Sequence, residues 1–170
     1  MPGANPEPVM PRPSLVSSAP VSFGLFALSR ELHGYGAELL RGLGLHPGQE
    51  LVLMQLFDKD GQTQAELQQA VGLDHSTVSR SIRRMEDAGL LTRAPAQHDR
   101  RAVLVSLTEG GESFRRPLAD LWTTLDRLAT RTLLRTEGAD FLTTVGELER
   151  TYAAARRGSF DPRPDEATDG

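Results

Sequence analysis

Cysteine is absent from the 170 residues, which excludes a disulfide scaffold, a cysteine-based zinc site and a thiol redox sensor together. Long apolar runs are absent too: nothing approaches the roughly 18 residues that a membrane span requires. The first 20 residues hold several prolines and one arginine, Arg12, a composition unlike that of a secretory leader. A cytoplasmic protein with no membrane partner is expected. Lysine is nearly missing, since Lys59 is the only one and arginine carries the remaining positive charge. The four histidines, His33, His46, His75 and His98, lack metal-ligand spacing, and neither a glycine-rich phosphate loop nor a nucleophile elbow occurs. No catalytic residue, metal or cofactor is therefore expected.

The net charge of −4 counts against a nucleic-acid partner when taken as a sum, because DNA-binding domains are usually basic. Its distribution points the other way. Between Asp74 and Arg101 stand Arg80, Arg83, Arg84, Arg93, Arg100 and Arg101 against Asp74, Glu86, Asp87 and Asp99. The acidic excess lies elsewhere, so a local positive face remains available.

Proline, small and polar residues over 1–19 read as a disordered arm, and 158–170 as a flexible tail. Between them the apolar pattern is largely helical. A helix is expected from about Val21 to Gly42, with Phe23, Phe26, Leu28, Leu32, Tyr35 and Leu39 at helical spacing. A second opens at His46-Pro47, proline standing at the first helical position, and buries Val52, Leu53, Leu56 and Phe57. Asp58 to Gly61 is a turn. Thr63 and Glu66 form a capping box for a short helix to about Ala70, which Gly72 closes. Asp74 caps a fourth helix to about Ala88, with Leu73 and Val78 as its hydrophobic staple. Two β segments, Leu91–Arg93 and Ala102–Leu107, flank a polar loop. Two long helices follow, about Glu109–Thr132 and Glu137–Arg156. The last bears a narrow stripe of Phe141, Val145, Leu148, Tyr152 and Ala155, suited to helix-on-helix packing.

The helix–turn–helix over residues 63–88 is the most informative segment. On a helical wheel Val78, Ile82 and Met85 share one side. Ser76, Arg80 and Arg83 lie opposite, flanked by Thr77, Ser79 and Arg84. Guanidinium forks suit guanine edges in the major groove, and hydroxyls suit phosphates. An ordinary solvated helix would show the same arginines. The hairpin that follows carries His98, Asp99, Arg100 and Arg101 at its tip, and arginine suits a narrow minor groove. A surface turn with one exposed ion pair is the plainer alternative. Helix and hairpin together favour DNA.

Three stretches carry a more specific likeness: Leu73 to Arg80, Met85 to Leu91, and Asp99 to Thr108. In these the run from Leu45 to Gly111 resembles the winged helix-turn-helix of the multiple-antibiotic-resistance regulator (MarR) family, and the flanking helices extend the likeness over about residues 21–157. The last stretch contains the family's Asp-x-Arg wing signature. Two positions depart from it: His46 stands where a threonine cap is common, and His75 where a polar or basic residue is usual. The resemblance implies a mainly α chain of the α+β kind, a winged helix-turn-helix with long flanking helices that form an α-helical dimerisation region. The DNA-reading lobe would span about 45–108 and the dimer helices about 20–42 and 109–157. It implies a bacterial, homodimeric transcriptional regulator, by family habit a repressor. The groove contacts would come from Ser76, Thr77, Ser79, Arg80 and Arg83, with Arg84 as a further DNA-binding residue beside them, Arg100 and Arg101 at the wing and Asp99 positioning them.

Phe23, Phe26, Leu142, Val145, Leu148 and Tyr152 are candidates for the apolar contacts of the dimer, or else they close a bundle within one chain. The family often takes a small aromatic or phenolic effector between its dimer helices and DNA-reading lobe. His33, Tyr35, Arg41, Met54 and Trp122 are candidates to line such a cleft, or ordinary packing residues. The rival classes are an enzyme, for which no motif speaks, and a winged helix turned to protein interaction, which the overall acidity keeps open.

Overall fold

The computed structural model describes residues 10–96, 102–133 and 138–159. A 3-10 turn at Ser14–Val16 precedes α1 (Pro20–Gly42), α2 (Gln49–Asp58), β1 (Gln62–Thr63) and α3 (Gln64–Val71). Then come α4 (His75–Asp87), β2 (Leu91–Pro95), β3 (Val103–Leu107), α5 (Glu109–Glu112), α6 (Arg115–Leu133) and α7 (Gly138–Arg156). The chain divides into two units, Met1–Leu125 and Asp126–Gly170. Among the described residues no helix is long and apolar enough to cross a membrane. Parts of both expected tails, 1–9 and 160–170, lie outside the described residues.

The first unit is built on one apolar cluster. Leu53 and Leu56 of α2, Leu67 of α3, Val78, Ile82 and Met85 of α4 and Val105 of β3 are almost wholly buried. Burial of each such side chain contributes about 1.5–3 kcal/mol, so this cluster fixes how α4 is presented. Leu118, Leu121 and Leu125 of α6 and Leu40 of α1 join the same core. Of the stripe expected on α1, by contrast, Phe26, Leu28, Leu32 and Tyr35 are exposed. The rings of Phe23 and Phe26 lie 6.3 Å apart, tilted to one another.

Three expectations need correction, and one strand is additional to them. Helix α2 begins at Gln49 and not at Pro47, because Gly48 at its N-cap has φ +92°, a left-handed turn that interrupts any helix opened at Pro47. The Gln49 side chain instead accepts the His46 N–H at 2.8 Å, and that of Glu50 accepts the Gly48 N–H at 2.7 Å. Next, a two-residue strand, β1, had no expectation. It completes an antiparallel sheet in the order β1-β3-β2, pairing Gln62 with Val105 and Thr63 with Leu104. Strand β2 extends to Pro95, which its edge position tolerates, since an outward-facing proline need give no ladder hydrogen bond. Finally, the single helix expected from Glu109 is two, broken at Ser113-Phe114. Pro117 explains the break: inside a continuous helix it would lack the N–H for the Ser113 carbonyl, whereas in the first turn of α6 that N–H has no intrahelical partner anyway.

Side chains tie the joints. The buried Gln62 amide donates to the Gln55 and Lys59 carbonyls at 2.8 and 2.7 Å, satisfying the end of α2. Asp60 Oδ1 accepts the Leu107 N–H at 2.9 Å. Arg115 sits 4.6 Å over the Phe57 ring and donates to its carbonyl.

The second unit holds the end of α6 and α7. Phe141, Leu142, Val145 and Tyr152 are 39–72% exposed, so its apolar stripe is left largely open to solvent.

Candidate nucleic-acid interface

Helix α3 starts as its sequence requires. Thr63 Oγ1 accepts the Glu66 N–H, and the Glu66 carboxylate accepts the Thr63 N–H at 2.7 Å. Gly72 then ends α3, and the turn delivers Asp74 to the N-cap of α4. With Val78, Ile82 and Met85 fully buried, the opposite side of α4 must face outward. Ser76, Arg80, Arg83 and Arg84 are exposed there, and Thr77 and Ser79 are half-buried. Among the described residues none of these three arginines forms an ion pair. Their positive charge is therefore available to a partner.

The hydroxyls differ from the arginines. Asp74 accepts the Thr77 N–H at 2.9 Å and hydroxyl hydrogen bonds from Ser76 (2.6 Å) and Thr77. These three bonds, the Ser76 hydroxyl foremost, hold its carboxyl far below the ordinary value of 3.8. Ser76 and Thr77 thus already spend their protons within the helix cap. A phosphate, which needs donors, would reach them only by displacing Asp74. The cap's ionic stabilisation is complete above the unfolded value near 3.8 and is lost as pH falls below it. Acid denaturation of Asp74→Asn, followed by circular dichroism, should show a shallower loss of stability below that pH than the parent; an identical slope would contradict the assignment.

Beyond α4 the chain returns as the β2–β3 hairpin, in which Leu91 pairs with Leu107 and Pro95 with Val103. Arg93 Nε donates to Glu86 Oε2 at 2.7 Å, fastening the hairpin base to the last turn of α4. The tip residues His98, Asp99, Arg100 and Arg101 lie outside the described residues. A groove of about 290 Å³ beside the start of α4 is lined by Gln64 and Gln68 of α3, His75, and Ala102 and Val103. The two glutamines are additional to the residues expected from the sequence.

A separate cleft of about 180 Å³ lies within the first unit. His33 and Leu40 of α1, Glu50 of α2, and Leu121 and Trp122 of α6 are among its lining. Of the residues expected there, His33 and Trp122 line it, whereas Tyr35, Arg41 and Met54 do not.

The sequence pattern of the MarR family matches residues 43–102, which include the cap, α4 and the hairpin base. The organic hydroperoxide resistance transcriptional regulator of Bacillus subtilis is 34% identical over 99 residues, 58% of this chain and 67% of that one. The chain belongs to the MarR family.

Solved MarR-family structures share the fold. A mutant MarR from E. coli, complexed with operator DNA, is 24% identical, covers 82% of this chain and 97% of its own, and superimposes with a TM-score of 0.69. The PcaV transcriptional regulator from Streptomyces coelicolor, in complex with its natural ligand, is 23% identical, covers 86% and 99%, and has a TM-score of 0.66. As a MarR-family transcriptional regulator the chain carries the winged helix-turn-helix DNA-binding fold. Helix α4 is its second helix, and the β2–β3 hairpin is its wing. Among the described residues no group of three or more histidines and carboxylates is placed to hold a metal ion.

Proposed function

We propose that this chain acts as a homodimeric repressor that reads a pseudo-palindromic operator and is released by a small aromatic ligand. The observation that carries this reading is the outward face of α4, where Arg80, Arg83 and Arg84 are exposed and unpaired among the described residues. In the major groove Arg80, with Ser76, Thr77 and Ser79, would approach base edges, and Arg83 and Arg84 the flanking phosphates. The wing would place Arg100 and Arg101, positioned by Asp99, in the adjacent minor groove. One such module covers few base pairs, so a two-fold pair with half-sites about one helical turn apart is the natural assembly. Phe23, Phe26, Leu142, Val145, Leu148 and Tyr152 would supply its contacts. Support comes from Phe26, Leu142, Val145 and Tyr152, all 41–72% exposed in the single chain. For the release step, support comes from the cleft at His33 and Trp122 and from the ligand complex solved for PcaV. A ligand bound there would bias the spacing of the two recognition helices.

The test is fluorescence anisotropy with the DNA upstream of the protein's own coding region and with a scrambled duplex, across a salt series. Specific binding at one dimer per site, falling steeply with salt, is the expected result. Feeble, equal and salt-insensitive binding to both duplexes would favour the protein-interaction module instead. For the wing, Arg101→Ala should weaken specific binding on the order of tenfold while leaving the thermal melt unchanged. Unaltered affinity would remove the wing from the interface.

A further inference from the structure

We propose that the cleft between α1, α2 and α6 selects a cationic aromatic amine, with the Glu50 carboxylate as its counter-ion; this rests on the ligand-release reading above. The walls are largely apolar, with Leu32, Leu40, Leu121 and Leu125 among them, and Trp122 adds an aromatic side chain of the kind that attracts cations. At about 180 Å³ the space suits a single substituted ring, given that an apolar cavity of about 150 Å³ accommodates benzene. Glu50, itself half-buried, is part of this lining. Its Oε2 accepts the Gly48 N–H at 2.7 Å, and among the described residues no arginine or lysine pairs with it. Burial pushes this carboxyl up from its ordinary value by more than the backbone N–H groups of Glu50 and Gly48 and the charge of His33 pull it down, the mark of a charge deprived of water and not fully compensated. An ammonium group in the cleft would supply that compensation. An aromatic carboxylate would meet a like charge, with His33 as the one basic side chain of the lining.

Trp122 is the only tryptophan in the chain, so quenching of its emission reports occupancy of the cleft directly and without DNA. The intact protein would be titrated near neutral pH with para-chlorobenzylamine, para-chlorobenzyl alcohol and para-chlorobenzoate, which match in shape and differ in charge. The amine should bind tightest and the carboxylate weakest, about tenfold or more apart, as expected for one charge contact in a half-buried site. Glu50→Gln keeps an acceptor for the Gly48 N–H and should largely abolish that gap. Equal affinities, or tightest binding of the carboxylate, would overturn the charge selection and leave the ligand reading standing. A gap that persists in folded Glu50→Gln would overturn the role of Glu50. Absence of quenching by all three compounds would remove the cleft as a ligand site, and the proposal with it. The wild-type series decides the charge preference by itself, even where the variant folds poorly.

Discussion

Replacing both Arg80 and Arg83 with alanine should weaken operator binding, with on the order of 2–6 kcal/mol from the Arg80 position alone, counted over a whole dimer. The figure follows from about 1–3 kcal/mol for a good base contact, taken twice because each substitution enters both half-sites. Both side chains are exposed and, among the described residues, outside any ion pair, so the thermal melt should hardly move. The single variants separate their roles. Arg80 stands in the amino-terminal half of α4, where base edges are met, so Arg80→Ala should relax preference at one base position in each half-site. Arg83 lies one turn further on, where the proposed docking puts it against the phosphates, so Arg83→Ala should weaken all sequences alike and reduce the salt slope by about 2 per dimer. The check is anisotropy against operators substituted one base pair at a time. An affinity unchanged in the double variant would remove α4 as the reading element.

That prediction was accessible from sequence because its signals are local. Thr63 with Glu66, Gly72 before Asp74, and the spacing of Val78, Ile82 and Met85 each act within one or two helical turns. The structure shows the same caps and the same buried face. Features that depend on distant partners were not legible. Strand β1 exists because Gln62 and Thr63 find Val105 and Leu104 some 40 residues later. The Arg93–Glu86 pair depends on how the hairpin folds back on α4. Cleft membership is also tertiary: His33, Trp122 and Glu50 come together from three helices, and Tyr35, Arg41 and Met54 lie off this lining. Other misses had a local signal that was outweighed. Pro117 announced the break between α5 and α6, but apolar spacing across it read as continuous. The cap signal of Asp74 is local, but its hold on the Ser76 and Thr77 hydroxyls shows only in the folded turn.

Among the glycines of the first unit, Gly111→Ala meets the tightest contact and should be the most damaging added methyl. A Cβ at Gly111 would stand 2.2 Å from the Leu90 carbonyl oxygen and 3.0 Å from Leu107 Cδ2. The side chain of Leu107 can give way by a few tenths of an ångström; the Leu90 oxygen is backbone and accepts the Thr108 N–H at 3.1 Å. Thr108 in turn donates its hydroxyl to the Gly89 carbonyl at 2.6 Å and accepts the Gly111 N–H at 3.0 Å, so the start of α5 is laced to the turn that ends α4. Relief of the overlap must therefore open this lacing or tilt α5 away from the turn. Overpacking of this kind costs about 1–3 kcal/mol, at the upper end here because backbone is involved. For a chain of this length 3 kcal/mol corresponds to a fall of roughly 6–12 °C in melting temperature. Gly34→Ala provides the contrast, since its added Cβ meets nothing within 4 Å inside α1. It should stabilise by up to about 1 kcal/mol through helix propensity alone. Thermal melts of both variants make the comparison. If Gly111→Ala melts with the parent, the close approach of α5 to the α4 turn is not how this chain holds its wing against its reading helix.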